Sequence, residues 1–307
     1  MTSLNQRRVV FTGLGSITNL GHDVTSTWSG LLEGRSGIRQ ITAFEQDDRW
    51  TTRIAGEISD WDPSDRLDHS EIKKMDRFSQ LGVWAAAEAM EDSGLDWEQG
   101  DPYRRGVVIG SGVGGIQTIE YYAGVLTEKG PRRMSPFTVP KLMVNAAAGN
   151  TSIRYNLRGV NSSPATACAT GGHALAEAYM FIATNQAEFI LAGGAEGAVS
   201  PVCLSAFSAM KALSTRNEEP TLASRPFDID RNGIVVAEGG AICTLERLPD
   251  ALARGATIYA EIVGHAMNSD ATDFVLPDAG RQAEGMRLAL DRAGISADDI
   301  DILSSHA

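Results

Sequence analysis

Short runs of β-branched and other apolar residues alternate along the chain with longer segments whose apolar positions recur every three or four residues. This pattern predicts α/β layers around a largely parallel sheet buried on both faces. Strands are expected at 9–13, 106–109, 162–166, 189–192, 241–245, 258–264 and 300–303. Over 76–92, Phe78, Leu81, Val83, Trp84, Ala87 and Met90 share roughly one helical face, and Gly94 supplies the stop. Further helices are expected at 171–185, 248–254 and 283–293. The stretch 214–235, rich in Asp, Asn, Arg, Pro and Gly, predicts a long loop ordered by Leu222, Pro226, Phe227 and Ile229. No repeat with a period between about 20 and 50 residues and no low-complexity linker divides the chain.

Composition narrows the function classes. The 307 residues carry 39 Asp plus Glu against 27 Lys plus Arg, a net charge of −12, with 43% hydrophobic and 21% charged residues, as in soluble globular proteins. That length accommodates one large domain or two of middling size. The net negative charge offers no global field for nucleic acid, so any anionic partner needs a local basic patch. Cys168, Cys203 and Cys243 are odd in number and scattered, which suggests neither a disulfide framework nor a zinc site. The opening from Met1 to Arg8 and the short apolar run after it do not read as a secretory signal, and no stretch approaches the ~20 apolar residues of a membrane helix. A cytoplasmic protein with no metal, no cofactor, no nucleic-acid partner and no membrane partner is expected.

Two motifs imitate ligand sites. Gly110-Ser111-Gly112-Val113-Gly114-Gly115 fits a dinucleotide fingerprint, but 121–135 contains Gly130, Pro131 and two arginines where a second strand ending in a carboxylate should lie. A glycine-rich strand-to-helix turn that permits close backbone packing is the better reading. Asp228-Ile229-Asp230-Arg231-Asn232-Gly233 opens like a calcium loop, yet its twelfth position falls on Gly239 rather than a bidentate Glu. An ordered polar loop is expected instead. His22, His69 and His265 have no partners at useful spacing, and His173 is expected to be a structural histidine, hydrogen bonded in a helix interface.

Cys168 stands out. A short strand, a turn of small residues and an alanine-rich helix surround it, which places the thiol at a helix start where unpaired amides favour an anion. Thiolate is the nucleophilic form, small neighbours admit a bulky acyl group, and the same amides can stabilise a developing oxyanion. Cys203 and Cys243 read as core. His306, after the strand-like 300–303, is the candidate imidazole.

Motifs along essentially the whole chain resemble the elongating β-ketoacyl-acyl carrier protein synthases of the KAS II type, members of the thiolase-fold superfamily. They include 9–15, Lys74-Met75-Asp76-Arg77-Phe78, 110–115, 130–137, Thr166-Ala167-Cys168, Ala192-Gly193-Gly194-Ala195-Glu196, 212–217 and 223–227. The resemblance implies a five-layer α-β-α-β-α fold, with a complete N-terminal half over 1–255 and an incomplete C-terminal half over 256–307, usually in a homodimer. It implies an acyltransferase that performs decarboxylative Claisen condensation of malonyl-acyl carrier protein with an acyl chain carried on Cys168. His306 matches the first of two histidines that polarise the malonyl thioester. Val113 and Phe207 match positions lining the acyl channel, and Lys73, Lys74, Arg132, Arg133 and Lys211 match the surface that docks the acidic carrier protein.

Ser304-Ser305-His306-Ala307 departs from the family's usual Asn-Ala-His-Gly. The second histidine, its neighbouring lysine and a glycine-rich gate fall beyond Ala307, so the 307 residues alone are expected not to condense and to expose an apolar face. Two other readings stay open: a non-catalytic homologue acting as chain-length or scaffold partner, and a cysteine hydrolase, which lacks its usual nucleophile elbow here. Acyl chain length and pathway, fatty acid or polyketide, are not readable from these residues.

Overall fold

The computed structural model describes residues 8–273 and 275–306; most of the opening segment from Met1 lies outside them. In chain order the elements are β1 (Val9–Ile17), α1 (Val24–Leu32), the short strands β2 (Arg39–Gln40) and β3 (Ile54–Ala55), α2 (His69–Ile72), α3 (Arg77–Ser93) and β4 (Arg105–Gly110). There follow α4 (Ile116–Lys129), α5 (Thr138–Leu142), α6 (Ala146–Tyr155), β5 (Asn161–Ser162), α7 (Thr170–Ala183) and β6 (Phe189–Gly197). The last are α8 (Pro201–Ala209), β7 (Glu238–Arg247), α9 (Leu248–Ala253), β8 (Ala260–Glu261) and α10 (Ala279–Ala293).

One sheet organises the chain, in the order β5-β4-β6-β7-β1-β8. Alternation along its strands fills two cores. Val107 and Ile109 of β4 pack with Phe78, Leu81 and Trp84 of α3 and with the alanines of α6. Val108, between them, faces Ala174, Ala178 and Ile182 of α7. Helices α3 and α6, the sheet and α7 are therefore three successive layers, consistent with the thiolase-like architecture. The predicted helix over 76–92 is α3, started by Asp76, whose side chain accepts from the Phe78 amide, and ended by Gly94 at φ +61°.

The sheet is mixed, which corrects the expectation of a largely parallel one. Only β5-β4-β6 run parallel; β6-β7, β7-β1 and β1-β8 are antiparallel. A strand covered by helices on both faces reads as a continuous apolar run whichever way its neighbours point. Two expected strands shrink to two-residue pieces, β5 and β8, and 300–303 forms none. Ile302 there is 86% exposed, and no described strand pairs with it. The loop expected over 214–235 is present and ordered, apart from one 3-10 turn at Pro220–Leu222.

Candidate active site

Cys168 sits in a single 3-10 turn, Ala167–Ala169, between the end of β5 and the first residue of α7. Ala167 is held at φ +52°, a left-handed conformation that costs a residue with a Cβ of order 1–3 kcal/mol. Side chains over-determine the turn. The Thr170 hydroxyl accepts from the Thr166 amide at 2.9 Å and donates to the Ala167 carbonyl at 2.7 Å. Thr166 Oγ1 is also 2.6 Å from Nδ1 of His173. His173 thus braces the turn: it is hydrogen bonded as expected, but to the turn and on a cavity wall rather than in a helix interface. The thiol is exposed, and the first turn of α7 has no side-chain cap competing for its amides.

Cys168 forms part of the wall of two cavities. The larger, about 660 Å³, is lined by Gly110, Gly112, Val113, Leu175, Ala195, Phe207, Ile234, Val236 and Cys243, an almost wholly apolar set with Glu196 at one point. Val113 and Phe207, picked out as acyl-channel residues, thus share one chamber with Cys168. The second cavity, about 560 Å³, is lined by Phe11, His173, Leu175, Ile262, His265, Met267 and Asn268. His265 was not among the sequence candidates, because a contact to α7 from beyond β8 has no signature in spacing. Its ring lies 5.0 Å from that of Tyr179, and burial, reinforced by the nearby Arg292 charge, holds its pKa below the usual imidazole value.

The glycine-rich turn after β4 binds a carboxylate of its own chain. Amides of Gly112 and Val113 donate to Glu196 Oε2 at 2.8 and 3.0 Å, and the Ser111 hydroxyl donates to Oε1 at 3.0 Å. Burial pushes the Glu196 carboxyl above its ordinary pKa, against the opposing pull of these donors. A Cβ on Gly110 would sit 2.3 Å from the Pro164 carbonyl and 2.3 Å from Thr170 Cγ2, which explains that glycine by close packing. In the calcium-like stretch, Asp228 is engaged by Arg225 and by the Asp230 amide. Glu238 is buried in an ion pair with Arg77.

His306 lies on exposed chain after 300–303 and lines neither Cys168 cavity. Lys73 caps the end of α2 and Lys74 follows it; Arg132 and Arg133 occupy the 3-10 turn Pro131–Arg133; Lys211 follows α8. All five are exposed, and none has an ion-pair partner among the described residues.

Comparison with known proteins supplies the family. Residues 6–251 match the family described as "Beta-ketoacyl synthase, N-terminal domain", and 259–307 match its C-terminal domain. The 3-oxoacyl-[acyl-carrier-protein] synthase 2 of Coxiella burnetii is 44% identical over 307 residues, covering 99% of this chain and 73% of its own length. A crystal structure of a beta-ketoacyl synthase from Burkholderia phymatum superposes with a TM-score of 0.87 at 35% identity, over 96% of this chain and 72% of that one. A type II PKS ketosynthase, in complex with its acyl-carrier protein and bound to the hexaketide, superposes with a TM-score of 0.85 at 29% identity, over the same shares. With nearly all of its length matched in sequence and in fold, the chain is a thiolase-fold acyltransferase of the beta-ketoacyl synthase family.

Proposed function

We propose that the chain supplies the nucleophile, Cys168, of a 3-oxoacyl-[acyl-carrier-protein] synthase in fatty acid elongation, whose condensation step also draws on the family's second histidine. The observation that carries this reading is the position of Cys168 at a helix start, on the wall of an apolar chamber large enough for an acyl chain. The sulfur attacks the acyl thioester carbonyl, and the carrier's pantetheine thiol leaves with the proton. Amides at the α7 start stabilise the oxyanion formed on the way. Malonyl-carrier protein then loses carbon dioxide, and its C2 carbanion attacks the acyl-cysteine carbonyl. The C–S bond breaks, returning the thiolate and releasing 3-oxoacyl-carrier protein.

In this reading Val113 and Phe207 bound the acyl chain, and His306 polarises the malonyl thioester carbonyl. That role needs the imidazole within about 3 Å of the thioester oxygen. It therefore requires 300–306 to close over the cavity that His173 and His265 line. Lys73, Lys74, Arg132, Arg133 and Lys211 dock the carrier protein, supported by their exposure and unpaired charge. Residues 1–255 form the half bearing the nucleophile, and 256–307 begin the second; the boundary between the two family matches supports this division. A homodimer and a cytoplasmic setting complete the reading. The three free thiols support the latter, and no described helix is long and apolar enough to cross a membrane.

Intact-mass spectrometry after incubation with acyl-carrier protein tests the assignment. An acyl adduct is expected on the unmodified protein and on His306→Ala, and none on Cys168→Ala. No adduct on the unmodified protein would favour a non-catalytic partner homologue.

A further inference from the structure

Gly110, at one end of β4, borders the Cys168 chamber; Arg105, at the other end, borders a different cavity. The six-residue strand sets its two ends about 16 Å apart. This second cavity, about 470 Å³, opens between Trp97 and Glu98, the turn at Pro102, and Arg154, Tyr155 and Asn156 at the end of α6. Arg105 lines it and is only 3% exposed. Its guanidinium stacks 5.4 Å from the centre of the Phe189 ring, which meets Trp97 edge to face at 4.7 Å.

The neighbouring arginines are engaged: Arg104 pairs with Glu188, and Arg154 with Glu71 and the Arg66 carbonyl. Among the described residues, no hydrogen bond or ion pair reaches the Arg105 guanidinium. Glu98, a carboxylate on the cavity wall, is exposed and makes no bond to it. With the rest of the residue buried, the little surface Arg105 keeps includes its guanidinium nitrogens, whose donors meet no protein acceptor and are open to an acceptor in the cavity. Its planar fork matches the paired oxygens of a carboxylate or phosphate.

We propose that this cavity binds an oxyanion, carboxylate or phosphate, carried on an aromatic or apolar body. Arg105 holds the anionic head, while Trp97, Pro102 and Tyr155 flank the body. The volume suits a small organic molecule rather than a bare ion. The site does not depend on the chemistry assigned to Cys168.

Calorimetric titration of the full chain with phenyl phosphate, benzoate and inorganic phosphate tests the proposal, with Trp97 fluorescence as a second readout. Saturable binding of phenyl phosphate or benzoate is expected, tighter than that of inorganic phosphate, and the stronger of the two identifies the preferred head group. Arg105→Met should weaken binding at least tenfold. Arg105→Lys, which keeps the charge without the fork, should weaken it less, and it carries the test if the Met variant fails to fold. Absence of binding by both organic probes at millimolar concentration would overturn the proposal. Equal affinity in either Arg105 variant would do the same.

Discussion

Three thiols in one chain have three different surroundings, and their reactivities should diverge accordingly. Cys168 is exposed; Cys203 is buried in α8; Cys243, on the apolar chamber wall, is pushed by burial to a pKa of about 11. At pH 8 only about one Cys243 in a thousand is thiolate, the form that reacts. Iodoacetamide at that pH should modify Cys168 first and leave Cys243 unmodified over the same interval, as read by peptide mapping. Glu196 offers a second test. Burial raises its pKa in the fold, so its contribution to stability is complete below about 4.5, the ordinary carboxylate value, and is lost as pH rises through the raised one. Melting curves between pH 5 and 7.5 should show the unmodified protein losing stability relative to Glu196→Gln. The position of Cys168 at a helix start was legible in the sequence because the signals for it are local. Glu196 and His265 were not, because their partners lie 83 to 85 residues away in one case and across the α7 face in the other.

Elements with strong local signals were the ones that sequence predicted well. Helix α3 has an apolar face, an aspartate cap and a left-handed glycine stop, all contained within its own span. Strand direction has no such local mark, which is why the antiparallel half of the sheet, β6-β7-β1-β8, emerged only from the pairing. The same locality explains 300–303: an apolar run becomes a strand only when an edge is present to pair with it. The turn after β4 shows how tightly elements can approach. Gly110→Ala would press a methyl group into the Pro164 carbonyl and Thr170. This substitution should cost about 1–3 kcal/mol or more, measured by urea unfolding, because both obstacles flank the turn that carries Cys168.

Across the whole molecule the charge is −12, and the proposed docking surface would be a local reversal of it. Lys73, Lys74 and Arg133 are exposed and without ion-pair partners among the described residues, so they remain available to a negatively charged partner. Reversing all three to Glu should raise KM for carrier-bound substrates at least several-fold, and most strongly at low salt, where screening is weakest. Rates with a small acyl thioester lacking the carrier should hardly change. An unchanged KM for the carrier-bound substrate would overturn the proposed assignment of these residues to a docking surface.

The shared wall at Cys168 and Leu175 has a consequence for timing. A group attached to the sulfur and extended into the apolar chamber leaves the neighbouring chamber vacant. With Cys168 as the proposed nucleophile, storage and delivery would occupy separate rooms that meet along Cys168 and Leu175. On that reading, a tenant in the first need not be evicted before a visitor enters the second.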